Sequence, residues 1–336
     1  MQRRNFLKTA AMAAAVTTTL DVADLFAAVP STTPQDGIAR RTLGRTGAEV
    51  SIVGIGGYHL GKSGVSEDDA TRIVRTALDS GINFLDNCWD YNNGVSEQRM
   101  GKALADGYRQ KAFLMTKIDG RTPSAAKQQL EQSLQRLKTD HIDLVQIHEV
   151  IRMTDPEQAF QPGYIVDVLK QAQKAGKIRY IGFTGHKSPE IHLHMIETAT
   201  KHGFTFDTVQ MPLNVMDAHY DSFQHKVLPA ARKLNMGIIG MKPMGDNFIL
   251  QSNTVTAVEC LHYAMSLPVS LTVTGCDSMK ILDQALTVAR QFKPLDQAQM
   301  AALLQKTAPV ATVGKFELYK TSNHFDGTIH NPKLLG

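Results

Sequence analysis

Short, nearly continuous apolar runs alternate along most of the chain with longer stretches whose apolar residues recur at three and four positions. The first run, Val50 to Ile55, predicts a buried strand. Behind it Ser66-Glu-Asp-Asp69 carries a capping signature ahead of Ala70, Ile73, Val74, Ala77 and Leu78, the spacing of a helix laid on a core. A strand over 82–86 and a helix from Ser96 to about Asp106 complete the next unit.

The same cycle predicts strands at Ala112 to Lys117, Ile142 to His148, Ile178 to Thr184, Phe206 to Met211, Gly237 to Lys242 and Ser270 to Thr274. Between and after them it predicts helices starting at Thr122-Pro123, running from Gly163 to Ala175, starting at Ser188-Pro189, and covering Ala218 to Leu234, Val255 to Leu267 and Met279 to Arg290. Proline at a first helical position gives up an amide that has no partner there anyway. Runs such as Leu144-Val-Gln-Ile147 and Ile238-Ile-Gly240 suit strands of a parallel sheet covered on both faces.

Eight strand–helix units over about 240 residues predict an α/β fold, a (β/α)8 TIM barrel. A doubly wound sheet is the competitor, but no Gly-x-Gly-x-x-Gly turn follows the first strand and the cycle does not stop at six. Arg41 to Gly47 reads as an N-terminal β-hairpin, and the tail from Pro294, with His324, Phe325 and His330, is expected to fold over one mouth. The expected division is a signal segment over 1–28, a linker over 29–40, the barrel over 41–292 and a C-terminal helix and tail over 293–336.

Composition changes this picture little. With 336 residues and 43% hydrophobic content the chain can bury a large core. A net charge of +4, with Arg3, Arg4 and Lys8 in the first segment, is too small an excess to imply a nucleic-acid partner. Cys88, Cys260 and Cys276 have neither metal-binding nor redox spacing. His186, His192, His194 and His202 read as surface histidines, and no metal site is expected. Gln2-Arg-Arg-Asn-Phe-Leu-Lys8 followed by the mild Ala10 to Val16 run matches a twin-arginine export signal. That run is too short to span a bilayer. The expected partner is the twin-arginine machinery, the expected location periplasmic or otherwise exported, with no stable membrane span in the mature protein. This route carries folded proteins, often already loaded with a cofactor.

Candidate chemistry lies where barrel active sites lie, at the C-terminal ends of the strands. Asp86 ends the second strand, Lys117 the third and His148 the fourth, and Tyr91 follows in the second loop. A lysine or histidine at the end of a buried apolar strand is costly unless paired. Three adjacent strands delivering titratable groups to one rim therefore point to chemistry.

These residues resemble the aldo-keto reductase superfamily. Its Asp-x-x-x-x-Tyr pattern with a following Gly-x-Ser-Glu stands here as Asp86, Tyr91, Gly94, Ser96 and Glu97. Its lysine strand stands as Phe113 to Lys117, its histidine strand as Asp143 to His148, its Leu-Gly-Arg-Thr-Gly opening as Leu43 to Gly47, and its Gly-Lys-Ile-Arg-Tyr-Ile-Gly segment as Gly176 to Gly182. The resemblance implies reduction of an aldehyde or ketone with NADP as cofactor in its reduced form, NADPH, with NAD (as NADH) also possible. In it Tyr91 donates the proton, Lys117 lowers the phenol pKa, Asp86 holds Lys117 and His148 orients the carbonyl.

It also implies cofactor contacts from Gln210, from Thr184 in place of the family's serine with Gly185 in place of its asparagine, from Met241 in place of an aromatic shelf, from Lys242, and from Lys280 and Gln284 at the adenosine end. Tyr58, His59, Asn87 and Trp89 are expected at the substrate mouth. The alternative function is a cofactor-occupied sensor or binding subunit of the same fold with little turnover.

Overall fold

The computed structural model describes residues 30–32 and 37–336; the expected export signal lies outside the described residues. Strand β1 (Arg40–Thr42) pairs antiparallel with β2 (Glu49–Ser51) across a tight turn at Gly44–Thr46, forming the hairpin. The apolar run expected as one strand from Val50 is two. β2 belongs to the hairpin, the Ile52 amide donates to Ala39 O at 2.9 Å, and the barrel begins at β3 (Val53–Gly56). Both halves are apolar because both are buried, so hydropathy carried no mark of the break.

The barrel continues through β4 (Phe84–Asp86), β5 (Phe113–Ile118), β6 (Ile142–Ile147), β7 (Ile178–Thr184), β8 (Thr208–Pro212), β9 (Gly237–Met241) and β10 (Leu271–Gly275). β10 pairs with β3, so the eight parallel strands close on themselves. Leu43 and Val50 of the hairpin join Phe84, Phe113, Met115, Leu144, Ile239, Leu271 and Val273 in the interior, closing the N-terminal end. Leu271 is fully buried, and truncating it to Ala would cost about 2–5 kcal/mol through lost transfer energy plus the cavity left behind.

Outside run α1 (Glu67–Asp79), α2 (Val95–Ala103), α3 (Pro123–Leu137), α4 (Asp155–Ala159), α5 (Ile165–Lys174), α6 (Pro189–Lys201), α7 (Phe223–Lys233), α8 (Ala257–Ser266) and α9 (Met279–Arg290). α4 was not expected; its buried Asp155 accepts the Ile151 and Arg152 amides at 2.8 and 2.9 Å and turns the chain. The helix expected from Ala218 begins at Phe223, because Ser222 caps it and buried Asp217 accepts the Phe223 and Gln224 amides. After α10 (Gln297–Ala311) the tail forms α11 (Leu318–Thr321) and α12 (Gly327–His330). Among the described residues no helix is long and apolar enough to cross a membrane.

Candidate active site

At the C-terminal mouth of the barrel lies a cavity of about 380 Å³ whose wall includes Asp86, Tyr91, Lys117, His148, Thr184, Met241 and Lys242. Parallel strands place their ends on one rim, which is why groups 62 positions apart in sequence meet. Lys117, 1% exposed, ion-pairs with Asp86 Oδ1, donates to Asn87 O at 2.8 Å and lies 3.2 Å from Tyr91 Oη. The second Asp86 oxygen accepts from Gln210 Nε2 at 2.7 Å. Burial alone would lower the Lys117 ammonium, but Asp86 and Tyr91 outweigh it and hold the amine above its ordinary value. Burial likewise pushes the Tyr91 phenol above its ordinary value, and the opposing pull of Lys117 does not reverse it. With its positive charge shared with Asp86, the lysine leaves the phenol protonated, so the net direction is opposite to that expected from a free cation beside it.

His148 stands at the end of β6 with its ring edge-on to Tyr91, centroids 5.9 Å apart. Its Nδ1 lies 2.8 Å from Asp119 Oδ1 and 3.3 Å from Cys88 Sγ. The three ligand atoms of Cys88, Asp119 and His148 fall within 4.8 Å of one another, as partners in hydrogen bonds. Buried Arg121 ties the two loops together, donating to Asp119 O at 2.7 Å and to His148 O at 2.6 Å. Sequence reasoning missed Asp119 and Arg121. The signal was present, since Lys117, Asp119 and Arg121 put three charges within five residues at the end of an apolar strand.

The remaining expected residues separate. Tyr58 and His59 line the cavity, Tyr58 edge-on to Tyr91 at 5.3 Å and His59 Nε2 3.5 Å from Asp246 Oδ1. The His59 ring fits because residue 275 is glycine: a Cβ there would sit 2.1 Å from His59 Nδ1. Trp89 is a correction, as its indole does not line the cavity. Its Nε1 donates to Gln132 Oε1 at 2.7 Å and the Arg136 guanidinium lies over the ring, so it turns outward onto α3. Asn87 is also withdrawn, fully buried with its amide on Met100 Sδ.

Thr184 lines the cavity with its hydroxyl buried and without a partner, and the Gln210 Oε1 on neighbouring β8 is buried and unbonded. The glycine at 185 has a steric cause: a Cβ there would lie 2.2 Å from Val150 O, so an asparagine does not fit without moving the β6 loop. Lys280 and Gln284 are exposed on α9 and do not reach the cavity wall. Two of the four histidines expected on the surface are buried. His186 bonds Asp326, and His192 packs between Phe183 and Phe223, where burial pushes its imidazole down to about 3.

The tail closes the mouth: His324, Phe325, Gly327 and His330 form part of the wall. Glu149 accepts the Gly327 and Thr328 amides, both at 2.7 Å, and the Thr328 hydroxyl at 2.6 Å. Asp326 hydrogen-bonds His186 at 2.8 Å and ion-pairs with Lys187 at 2.6 Å.

A model of the aldo/keto reductase family matches residues 52–259, more than half of the chain. An uncharacterised oxidoreductase of Bacillus subtilis, YrpG, is 31% identical over 238 residues, covering 64% of this chain and 70% of that protein. L-galactose dehydrogenase of Arabidopsis thaliana is 29% identical over 225 residues, covering 62% of this chain and 66% of its own. Among solved structures, the holo form of the Bacillus halodurans aldo-keto reductase AKR11C1 superposes with a TM-score of 0.67 at 24% identity, over 83% of this chain and 99% of that one, a likeness of fold. With the family model spanning β3 to α8, the chain belongs to the aldo/keto reductase family.

Proposed function

We propose that the protein reduces an aldehyde or ketone to an alcohol with NADPH, NADH being the second choice of cofactor. The observation that carries this reading is the contact of Tyr91 Oη with Lys117 Nζ at 3.2 Å, inside a cavity where Asp86 and Gln210 fix the lysine.

The wall offers groups a nicotinamide needs. Thr184, a residue of the wall, carries a buried hydroxyl without a partner that can pair with a carboxamide, its neighbour Gln210 on β8 has an unbonded oxygen, and Met241 supplies a polarisable apolar surface. Lys242 follows on the same strand end. At the adenosine end Lys280 and Gln284 stand on the first turns of α9, and the single lysine is the support for a 2′-phosphate. When bound, the cofactor supplies a hydride to the carbonyl carbon.

The protein's part is the proton and the orientation. Tyr91, kept protonated by its burial, donates its phenolic proton to the carbonyl oxygen as charge builds there. Lys117 stabilises the phenolate that remains, and Asp86 prevents the lysine from swinging away. His148, edge-on to Tyr91 in the same wall, hydrogen-bonds the carbonyl oxygen and orients it.

Tyr91→Phe tests the scheme. Turnover of an aldehyde should fall by about a thousandfold while NADPH affinity, read by fluorescence, stays within about twofold. Undiminished turnover in that variant would sink the tyrosine mechanism. The Gln2 to Lys8 segment supports export by the twin-arginine route. Replacing both Arg3 and Arg4 by lysine should retain the protein inside the cell, which fractionation reads directly.

A further inference from the structure

We infer that the Lys242 ammonium is the anion-binding group of the active cavity, held free of any internal counter-ion so that a carboxylate or phosphate of the ligand can complete it. The inference rests on the reductase reading for the choice of ligand.

Lys242 follows β9 in a left-handed backbone conformation, φ 55°, pinned by the Gly245 amide at 3.0 Å and the Asn214 side-chain amide at 3.1 Å, both on its carbonyl. Its side chain therefore enters the cavity wall by construction. There its Nζ meets two ring faces, Phe325 at 4.3 Å and Tyr319 at 5.6 Å. Among the described residues no hydrogen bond or ion pair reaches it.

Carboxylates stand nearby, and each already has its own partner. Asp246 faces His59 at 3.5 Å. Glu149 takes three donors from the tail, and Asp326 takes His186 and Lys187. Asp86 is divided between Lys117 and Gln210. Elsewhere in the core a buried lysine does have acid partners, as Lys320 has in Asp217 at 2.7 Å and Glu317 at 2.9 Å. Two aromatic faces return less than the hydration a partly buried ammonium loses. The missing hydration lowers the Lys242 amine to about 8. A strained, unpaired cation facing the reacting groups is the arrangement of a site completed by its ligand.

Two anions qualify: a carboxylate on the carbonyl substrate and the pyrophosphate of the dinucleotide. The test compares Lys242→Met, which keeps the packing against the rings, with Lys242→Arg, which keeps the charge. Each is assayed with para-carboxybenzaldehyde and with its uncharged methyl ester, and NADPH affinity is read by fluorescence. If the anion is the substrate's, Lys242→Met lowers the ratio of kcat/KM for acid over ester by roughly tenfold or more, and Lys242→Arg restores it. If the anion is the pyrophosphate, the ratio holds and NADPH affinity falls by a similar factor. If neither quantity changes in Lys242→Met, the inference is overturned.

Calorimetric titration of both proteins with terephthalate and with inorganic pyrophosphate reads the site without turnover. A wild type that reduces neither aldehyde would sink the reductase reading, and equal anion binding by wild type and Lys242→Met would sink this one.

Discussion

Asp119 Oδ1 lies 2.8 Å from His148 Nδ1, on the side of the ring turned away from the cavity. A carboxylate only accepts, so the proton on this edge belongs to Nδ1, and the Nε2 edge is the one left to meet a substrate oxygen. Asp119 is thus a positioning residue acting through His148. Asp119→Asn keeps the size but offers either an acceptor or a donor, so the ring loses its enforced tautomer. We expect kcat/KM to fall by about 10- to 100-fold. Nitrogen-15 spectra of the His148 ring should show a single Nδ1-protonated form in wild type and a mixture in the variant. An unchanged ring spectrum would remove Asp119 from this role even if activity fell.

The Asp86–Lys117 pair makes a different prediction, because each charge is nearly fully buried and depends on the other. Lys117→Met leaves Asp86 with only the Gln210 amide, and Asp86→Asn leaves Lys117 with neutral acceptors. Each single change should lower unfolding free energy by about 3–5 kcal/mol in urea titrations, because it strands a buried charge. The double change should cost clearly less than the sum. Additive losses would mean the two residues are held by separate contacts. All three variants should lack reductase activity.

How far the sequence revealed this site follows from where its residues lie. Asp86, Lys117 and His148 end strands that are apolar almost to the last residue, and a parallel barrel turns that sequence position into a shared rim. Tyr91 came with them because its loop is short. The direction of Trp89 was illegible, since it depends on Gln132 and Arg136 arriving from α3. The break at Ile52 was hidden because hairpin and barrel bury apolar residues alike. The clamp of Glu149 on Gly327 and Thr328 joins positions nearly 180 apart, and no local pattern encodes such a contact.

That clamp predicts the behaviour of the tail. Glu149 is buried, which opposes ionisation, yet His148, His186 and the Thr328 donors outweigh this and hold its carboxyl below the usual range. Glu149→Ala removes the acceptor of three hydrogen bonds and frees the segment that carries Phe325 and His330 over the cavity. The expected result is faster hydrogen exchange at the Gly327 and Thr328 amides and a KM for the carbonyl substrate raised by roughly tenfold, with a smaller change in kcat. Exchange rates equal to wild type would mean that Asp326, through His186 and Lys187, holds the tail by itself.

Stability should depend on pH through Glu317, where α11 meets the barrel. Two buried acids share one cation there: Lys320 Nζ is 2.7 Å from Asp217 Oδ1 and 2.9 Å from Glu317 Oε1. Burial pushes the Glu317 carboxyl up to about 7, against the opposing pull of Lys320 and with Asp217 adding to the rise. A carboxyl raised above its unfolded value of about 4.3 favours folding while protonated, so its contribution is complete below that value and is lost as pH rises through 7. Glu317→Gln removes the titration but keeps an oxygen for the Tyr319 hydroxyl, which donates to Glu317 at 2.6 Å in the wild type. Relative to wild type, the variant should therefore gain thermal stability steadily between pH 5 and about pH 8. Parallel Tm curves for the two proteins across that window would show that Glu317 stays ionised throughout, with Lys320 neutralising both acids.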